Sequence, residues 1–138
     1  MVNTIDMKDM RYLNLFERIT RVQTKYCFNY NNILVFAVPR NLISKALGRD
    51  ISNLKRLSEI LRKRIKIVGI PEGEKDIRHF IEAIVNPVTF KDLEITENEI
   101  ILNAGPQSKA ALIGRNKRRF LEMKGIVKDF FNKDFRIV

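Results

Sequence analysis

One cysteine and one histidine are all that 138 residues offer to thiol, metal or histidine-based chemistry. With Cys27 alone, no disulfide can close within the chain and no cysteine cluster can hold a metal. Cys27 lies in an apolar, strand-like run, where a thiol usually packs as a small hydrophobe. His79 has no second histidine with which to share a metal or a relay, and its helical, acidic surroundings predict a surface position. No apolar run approaches the roughly 18 residues that mark a membrane-crossing helix. The first ten residues carry acids in place of a signal-peptide core. A reduced, cytoplasmic setting without a membrane partner is therefore expected. Flexible linkers and low-complexity tracts are missing too, so the parts of the chain are expected to pack against each other.

Positive charge is what the chain has in excess, with 26 Lys and Arg against 16 Asp and Glu, a net +10. A field of that sign concentrates polyanions, which makes nucleic acid the first partner class to consider. The bases are not gathered on one amphipathic face, as a membrane-surface helix would require. They are segmental: nine bases against two acids over 40–70, three against eight over 71–108, and nine against three over 109–138. Two basic stretches flanking an acidic one predict two similar contact surfaces.

Self-comparison at an offset of 66 residues gives the same answer. Leu34-Val35-Phe36 falls on Ile100-Ile101-Leu102, and Leu47-Gly48-Arg49-Asp50 falls on Ile113-Gly114-Arg115-Asn116. Leu54, Leu57, Ile60 and Leu61 fall on Phe120, Met123, Ile126 and Val127. After a four-residue insertion, Ile65-Lys66-Ile67-Val68 meets Phe135-Arg136-Ile137-Val138. The shared Gly-Arg step and closing strand favour a true repeat over two amphipathic helices that match by chance.

Local patterns spell the same elements twice. Tyr12, Leu15, Phe16, Ile19 and Val22 recur at helical spacing from about Asp6 to Arg21. Residues 26–30 and 33–38 read as strands joined by Asn31-Asn32, a tight hairpin signal. Pro39 suits the start of a short helix with Leu42, Ile43, Ala46 and Leu47 on one face. Gly48 ends that helix, and another from about Ser52 is expected to bury Leu54, Leu57, Ile60 and Leu61 before a strand over 65–68. Pro71-Glu72-Gly73 marks a boundary. Beyond it, Ile77, Phe80, Ile81 and Ile84 form a helical stripe ended by Asn86-Pro87. Strands are expected over 88–95 and 100–103, a short helix from Gly105-Pro106 to Ile113, a helix over about 117–131, and a last strand. Phe16, Phe36, Phe80 and Phe90 fall at core-periodic positions, which assigns most of the phenylalanines to packing, and Phe120 shares that reading through its counterpart Leu54. The fold class expected is α+β, with domains over 1–70 and 71–138, each α-β-β-α-α-β.

Two short helices joined by a basic glycine turn suit a device that grips a phosphate backbone. Glycine lets the chain approach a phosphate with no Cβ in the way, and the next helix start presents unpaired N–H groups and a positive dipole end. Arg49 and Arg115 add charge at that point, and neighbouring aliphatic side chains can bed unstacked bases. Carboxylates, which metal-assisted or acid–base chemistry on nucleic acid would need, cluster in 71–108, away from both turns. No catalytic residue, metal or cofactor is expected.

The element order and these turns make each half resemble a type II KH domain, and the tandem pair resembles the archaeal NusA-like transcription factors. The likeness runs over essentially the whole chain, most specifically over Arg11–Thr20, Lys45–Leu57 and Ala111–Arg119. It implies a cytosolic, non-catalytic protein that binds single-stranded RNA in transcription termination or antitermination, as a monomer and with RNA polymerase as a further partner. The S1 domain that precedes the KH pair in bacterial relatives is not expected. RNA contacts are expected at Lys45, Gly48, Arg49, Asp50, Ile51, Asn53, Lys55 and Arg56 in the first copy. In the second they fall on Lys109, Gly114, Arg115, Asn116, Lys117, Arg118 and Arg119. The family pattern is Gly-x-x-Gly followed by x-Asn. Ile51 and Lys117 replace both second glycines, and only Asn53 keeps the asparagine, where it either meets RNA or bonds local backbone. Asp50 offsets Arg49, so the second turn is expected to contribute more phosphate affinity. Arg62-Lys63-Arg64 reads first as a solvated helix end favoured by the dipole. A degenerate KH pair that docks on RNA polymerase or the ribosome with little RNA affinity is the alternative.

Overall fold

The computed structural model describes residues 7–138 and divides them into two compact units at Ile70/Pro71. Both are α+β, and among the described residues each holds three α-helices and one three-stranded sheet.

The first unit opens with α1 (Met7–Thr20), and the expected start at Asp6 lies outside the described residues. The buried Thr20 hydroxyl donates to the Phe16 carbonyl at 2.7 Å and accepts the Val22 N–H at 3.1 Å, closing the helix as Arg21 turns left-handed at φ 62°. Strands β1 (Tyr26–Tyr30) and β2 (Ile33–Val38) pair antiparallel across Asn31 and Asn32, with φ of 53° and 62°. Positive φ at both central residues is what a tight hairpin matching strand twist demands, and asparagine tolerates it. Pro39 precedes a single 3-10 turn, so α2 proper spans only Ile43–Leu47. Helix α3 (Ser52–Leu61) and strand β3 (Arg64–Gly69) follow, and β3 pairs parallel to β2.

Strand β2 is central, and all six of its side chains are buried. Its Leu34, Phe36 and Val38 face joins Tyr12, Phe16 and Val22 from the α1 segment, Ala46 of α2 and Leu57 of α3. Phe16 stacks on Phe36 with centroids 4.3 Å apart. Ile60, expected inside, is 51% exposed, because α3 covers the sheet through Leu57 and leaves its flank open. Cys27 is half-buried, beside the core and not within it. Arg62, Lys63 and Arg64 are all exposed at the end of α3.

The second unit opens with α4 (Ile77–Val85), whose stripe of Ile77, Phe80, Ile81 and Ile84 is buried throughout. Strands β4 (Asp92–Ile95) and β5 (Glu99–Asn103) pair antiparallel, then come α5 (Lys109–Ile113), α6 (Arg118–Phe131) and β6 (Asp134–Ile137), parallel to β5. The strand expected from Val88 starts only at Asp92. Lys91 N–H still reaches the Asn103 carbonyl at 2.9 Å, but the partner chain then turns at Gly105, and the Val88 N–H turns back to the Val85 carbonyl at 2.9 Å instead of joining a strand. Residues 105–108 are a turn and not the first turn of α5. Phe80 packs against Phe130 and Phe131 at centroid distances of 4.8 and 5.8 Å. Phe90 is half-buried beneath the Arg78 guanidinium, 5.2 Å from its ring.

Candidate nucleic-acid interface

Each unit presents the glycine turn in the same backbone form. Gly48 has φ 80° and ψ 173°, and Gly114 has φ 77° and ψ 172°. Two left-handed residues close each turn: Asp50 and Ile51 at φ 53°, Asn116 at 56° and Lys117 at 60°. The hydrogen bonds match as well. Gly48 N–H donates to Ser44 and Ile51 N–H to Gly48, as Gly114 N–H does to Ala110 and Lys117 N–H to Gly114, all at 2.9–3.2 Å. The offset of 66 residues that aligns the two sequences also aligns the two turns.

The fourth position of each turn therefore holds a glycine-like conformation without a glycine. For lysine the strain is modest. Ile51 is branched at Cβ and 43% exposed, so it clashes with its own backbone and gains little burial in return. Left-handed backbone costs an L-residue about 1–2 kcal/mol, against roughly 0.5–1 kcal/mol of extra chain entropy for glycine. Ile51→Gly is thus expected to stabilise the first unit by up to about 1 kcal/mol in chemical denaturation. A loss of stability would show that the exposed isoleucine packs better than its accessibility indicates.

The candidate contacts fall into distinct places. Arg49 and Asp50 are exposed at the first turn, and Arg115, Asn116 and Lys117 at the second. Lys45 and Lys109 are exposed on the short helices that precede them, and Arg56 is exposed on α3. Lys55 lines a shallow depression with Ser58, Glu59 and Arg62 that follows α3 away from the turn. Arg118 leans along its own helix to Glu122 at 3.9 Å. Asn53 and Arg119 are half-buried and point back to the preceding helix, donating to the carbonyls of Lys45 at 3.4 Å and Ala111 at 2.8 Å. Of the four bases expected to serve the second turn, Arg115 and Lys117 stand at it.

Beside the second turn is a cleft of about 210 Å³ lined by Ile113, Lys117, Phe120, Arg136 and Ile137. Its size and its apolar lining suit one unstacked base, with a cation from the turn and another from β6 at its rim. Arg136 is held by Glu99 at 3.1 Å, and Phe120 leans on Phe135 with centroids 6.0 Å apart. Sequence reasoning missed Ile113, Arg136 and Ile137 and treated Phe120 as core. The usable signal was nearness in sequence, since Phe120 lies three residues past Lys117, in the first turn of the helix that leaves the glycine turn. In the first copy Lys66 takes the strand position of Arg136. Desolvation, and secondarily Arg64, holds its half-buried ammonium below the ordinary lysine value. Among the described residues, no group of three or more His, Cys, Asp or Glu is placed to hold a metal, and no helix is long and apolar enough to cross a membrane.

Fold and site together define an α+β protein that carries one helix–glycine turn–helix unit twice. No protein-family model matches the chain. Over 133 residues it is 20% identical to a probable transcription termination protein NusA of Thermoplasma acidophilum, covering 94% of this chain and 90% of that one. It is 23% identical over 128 residues to the protein of the same name from Methanococcus vannielii, covering 88% and 72%. The solved structure titled "Crystal structure of APE1850" superposes with a TM-score of 0.65 at 22% identity, over 96% of this chain and 99% of that one. The first two similarities support a NusA-like relationship, and the third shows a shared fold.

Proposed function

We propose that this is a non-catalytic, single-stranded RNA-binding protein, a NusA-like factor of transcription termination or antitermination that contacts RNA through two type II KH units. The observation that carries the reading is the duplicated turn: one backbone geometry, occurring twice, each time with an exposed arginine next to the glycine and an amphipathic helix behind. The α-β-β-α-α-β order of both units and the two similarly named relatives support it. Each unit would take about four nucleotides with phosphates against its turn, and in the second unit a base would enter the cleft alongside. RNA polymerase is the natural protein partner for such a factor, and the chain acts as a monomer.

Filter binding of the full chain to short single-stranded RNAs tests this reading. Affinity should fall with salt at a slope of roughly −0.7 per phosphate contact. Arg115→Ala should weaken binding more than Arg49→Ala, because Asp50 already offsets Arg49 in the first turn. Equal effects would sink that ranking, and a salt-independent affinity would sink the electrostatic picture. The exposed Asp50 and Ile51 favour the rival in the first unit, a scaffold with little RNA affinity, and undetectable binding of the whole chain would select it.

A further inference from the structure

The fifth residue after each turn glycine differs in chemistry between the units yet closes the same contact. Asn53 Nδ2 donates to the Lys45 carbonyl at 3.4 Å, and Arg119 Nη1 donates to the Ala111 carbonyl at 2.8 Å. Both acceptors lie three residues before the glycine, at the middle of a five-residue helix, and the last four carbonyls of a helix have no partner within it. Each side chain also occupies the space that a glycine Cβ would need. A Cβ on Gly48 would lie 2.8 Å from Asn53 Cγ, and one on Gly114 would lie 2.9 Å from Arg119 Cγ. The glycine and the residue five positions on are therefore one packed unit. A turn with two successive left-handed residues persists only where its surroundings over-determine it, and this contact ties the two ends of the turn together.

We infer that Asn53 and Arg119 are positioning residues, braces that hold each glycine turn in its gripping shape. Arg119, despite its charge, acts on RNA through the turn and not by contact. Arginine takes over in the second unit the job that asparagine does in the first. Its longer side chain reaches the carbonyl with the better bond, 2.8 Å against 3.4 Å. A brace that pre-orders the turn lowers the ordering cost of binding. The effect on affinity rests on the RNA-binding reading above, but the brace itself is visible without RNA.

Arg119→Ala, Arg119→Asn and Arg119→Lys in the full chain test the inference through two readouts. Amide hydrogen exchange at Lys117, whose N–H bonds to the Gly114 carbonyl at 3.2 Å, reports the turn without RNA. Affinity for a short single-stranded RNA across a salt series reports the grip. Arg119→Ala should speed exchange and weaken RNA binding by about tenfold each, with the salt slope unchanged. Arg119→Asn should restore protection and most of the affinity at the same slope, although a charge has been removed. Lysine, which has the charge without the fork, should rescue less than asparagine. If Arg119→Asn lowers the slope by about 0.7 while the turn stays protected, Arg119 is a phosphate contact and the inference fails. Unchanged exchange in Arg119→Ala overturns it as well. Faster exchange in a chain that binds no RNA at all would uphold the brace and reject the RNA-binding reading instead.

Discussion

Gly114→Ala is expected to destabilise the unit over 71–138 by about 2–3 kcal/mol and to lower RNA affinity by about tenfold or more. At φ 77° and ψ 172° the residue occupies a region essentially closed to side chains, which alone costs of order 1–3 kcal/mol. The added Cβ would also meet Arg119 Cγ at 2.9 Å and the Arg119 backbone nitrogen at 3.1 Å. The side chain can swing aside, but the nitrogen belongs to the first turn of α6 and cannot. Relief therefore requires the turn to change shape, which displaces Arg115 from the turn and Lys117 from the cleft. Gly125→Ala is the control. It lies on the exposed face of α6 with nothing within 4 Å of its Cβ position, and there alanine should stabilise by roughly 0.5–1 kcal/mol. Urea denaturation of both variants, with hydrogen exchange to assign the unit affected, separates the two glycines. A Gly114→Ala stability within about 0.5 kcal/mol of the parent would mean that the turn is not held as described.

Lys133→Ala is expected to remove a further 2–3 kcal/mol or so from the same unit. Its side chain is only 7% exposed, and its ammonium meets the Thr96 carbonyl at 2.6 Å, the Glu97 carbonyl at 2.8 Å and the Glu74 carboxylate at 2.9 Å. The β4–β5 turn explains why a cation is needed there. Neither Glu97 nor Asn98 adopts a positive φ, and the Thr96 hydroxyl accepts the Glu99 N–H at 3.0 Å. The Thr96 and Glu97 carbonyls are left to the lysine. Removing it strands two carbonyls in a nearly dry site, whereas Glu74, 66% exposed, is readily replaced by water. Glu74→Gln should therefore cost no more than about 1 kcal/mol. Equal losses for the two variants would show that the ion pair, and not the carbonyl bonds, carries the stabilisation. In the first unit the equivalent turn is made by Asn31 and Asn32, both of which take a positive φ.

That contrast separates what could be read along the chain from what could not. The helix of residues 77–85, the Asn31-Asn32 hairpin and the breaks at Gly48 and Gly114 follow from spacing and from single-residue conformational preferences, so they are legible in the sequence. Strand β4 was misread because the β-propensity of Val88, Thr89 and Phe90 is local, while a strand also needs a partner, and β5 ends at Asn103. Ile60 was misread because periodicity gives a face but not how far the opposing layer extends.

The candidate site divides in the same way. Sequence by itself determined that there are two copies, that each has a basic glycine turn before an amphipathic helix, and that the two turns differ in charge. Those properties reside in residue identity and spacing. Only the tertiary structure decided which bases stand at the turn and which serve it from behind. Arg115 and Arg119 look alike along the chain, but Arg119 folds back on the Ala111 carbonyl because the helix end there lacks a donor and Gly114 leaves the space open. Arg136 and Lys133 were likewise invisible to local reading. Their partners, Glu99 and the Thr96 and Glu97 carbonyls, lie 36 or 37 residues away, and only chain folding brings them within bonding distance.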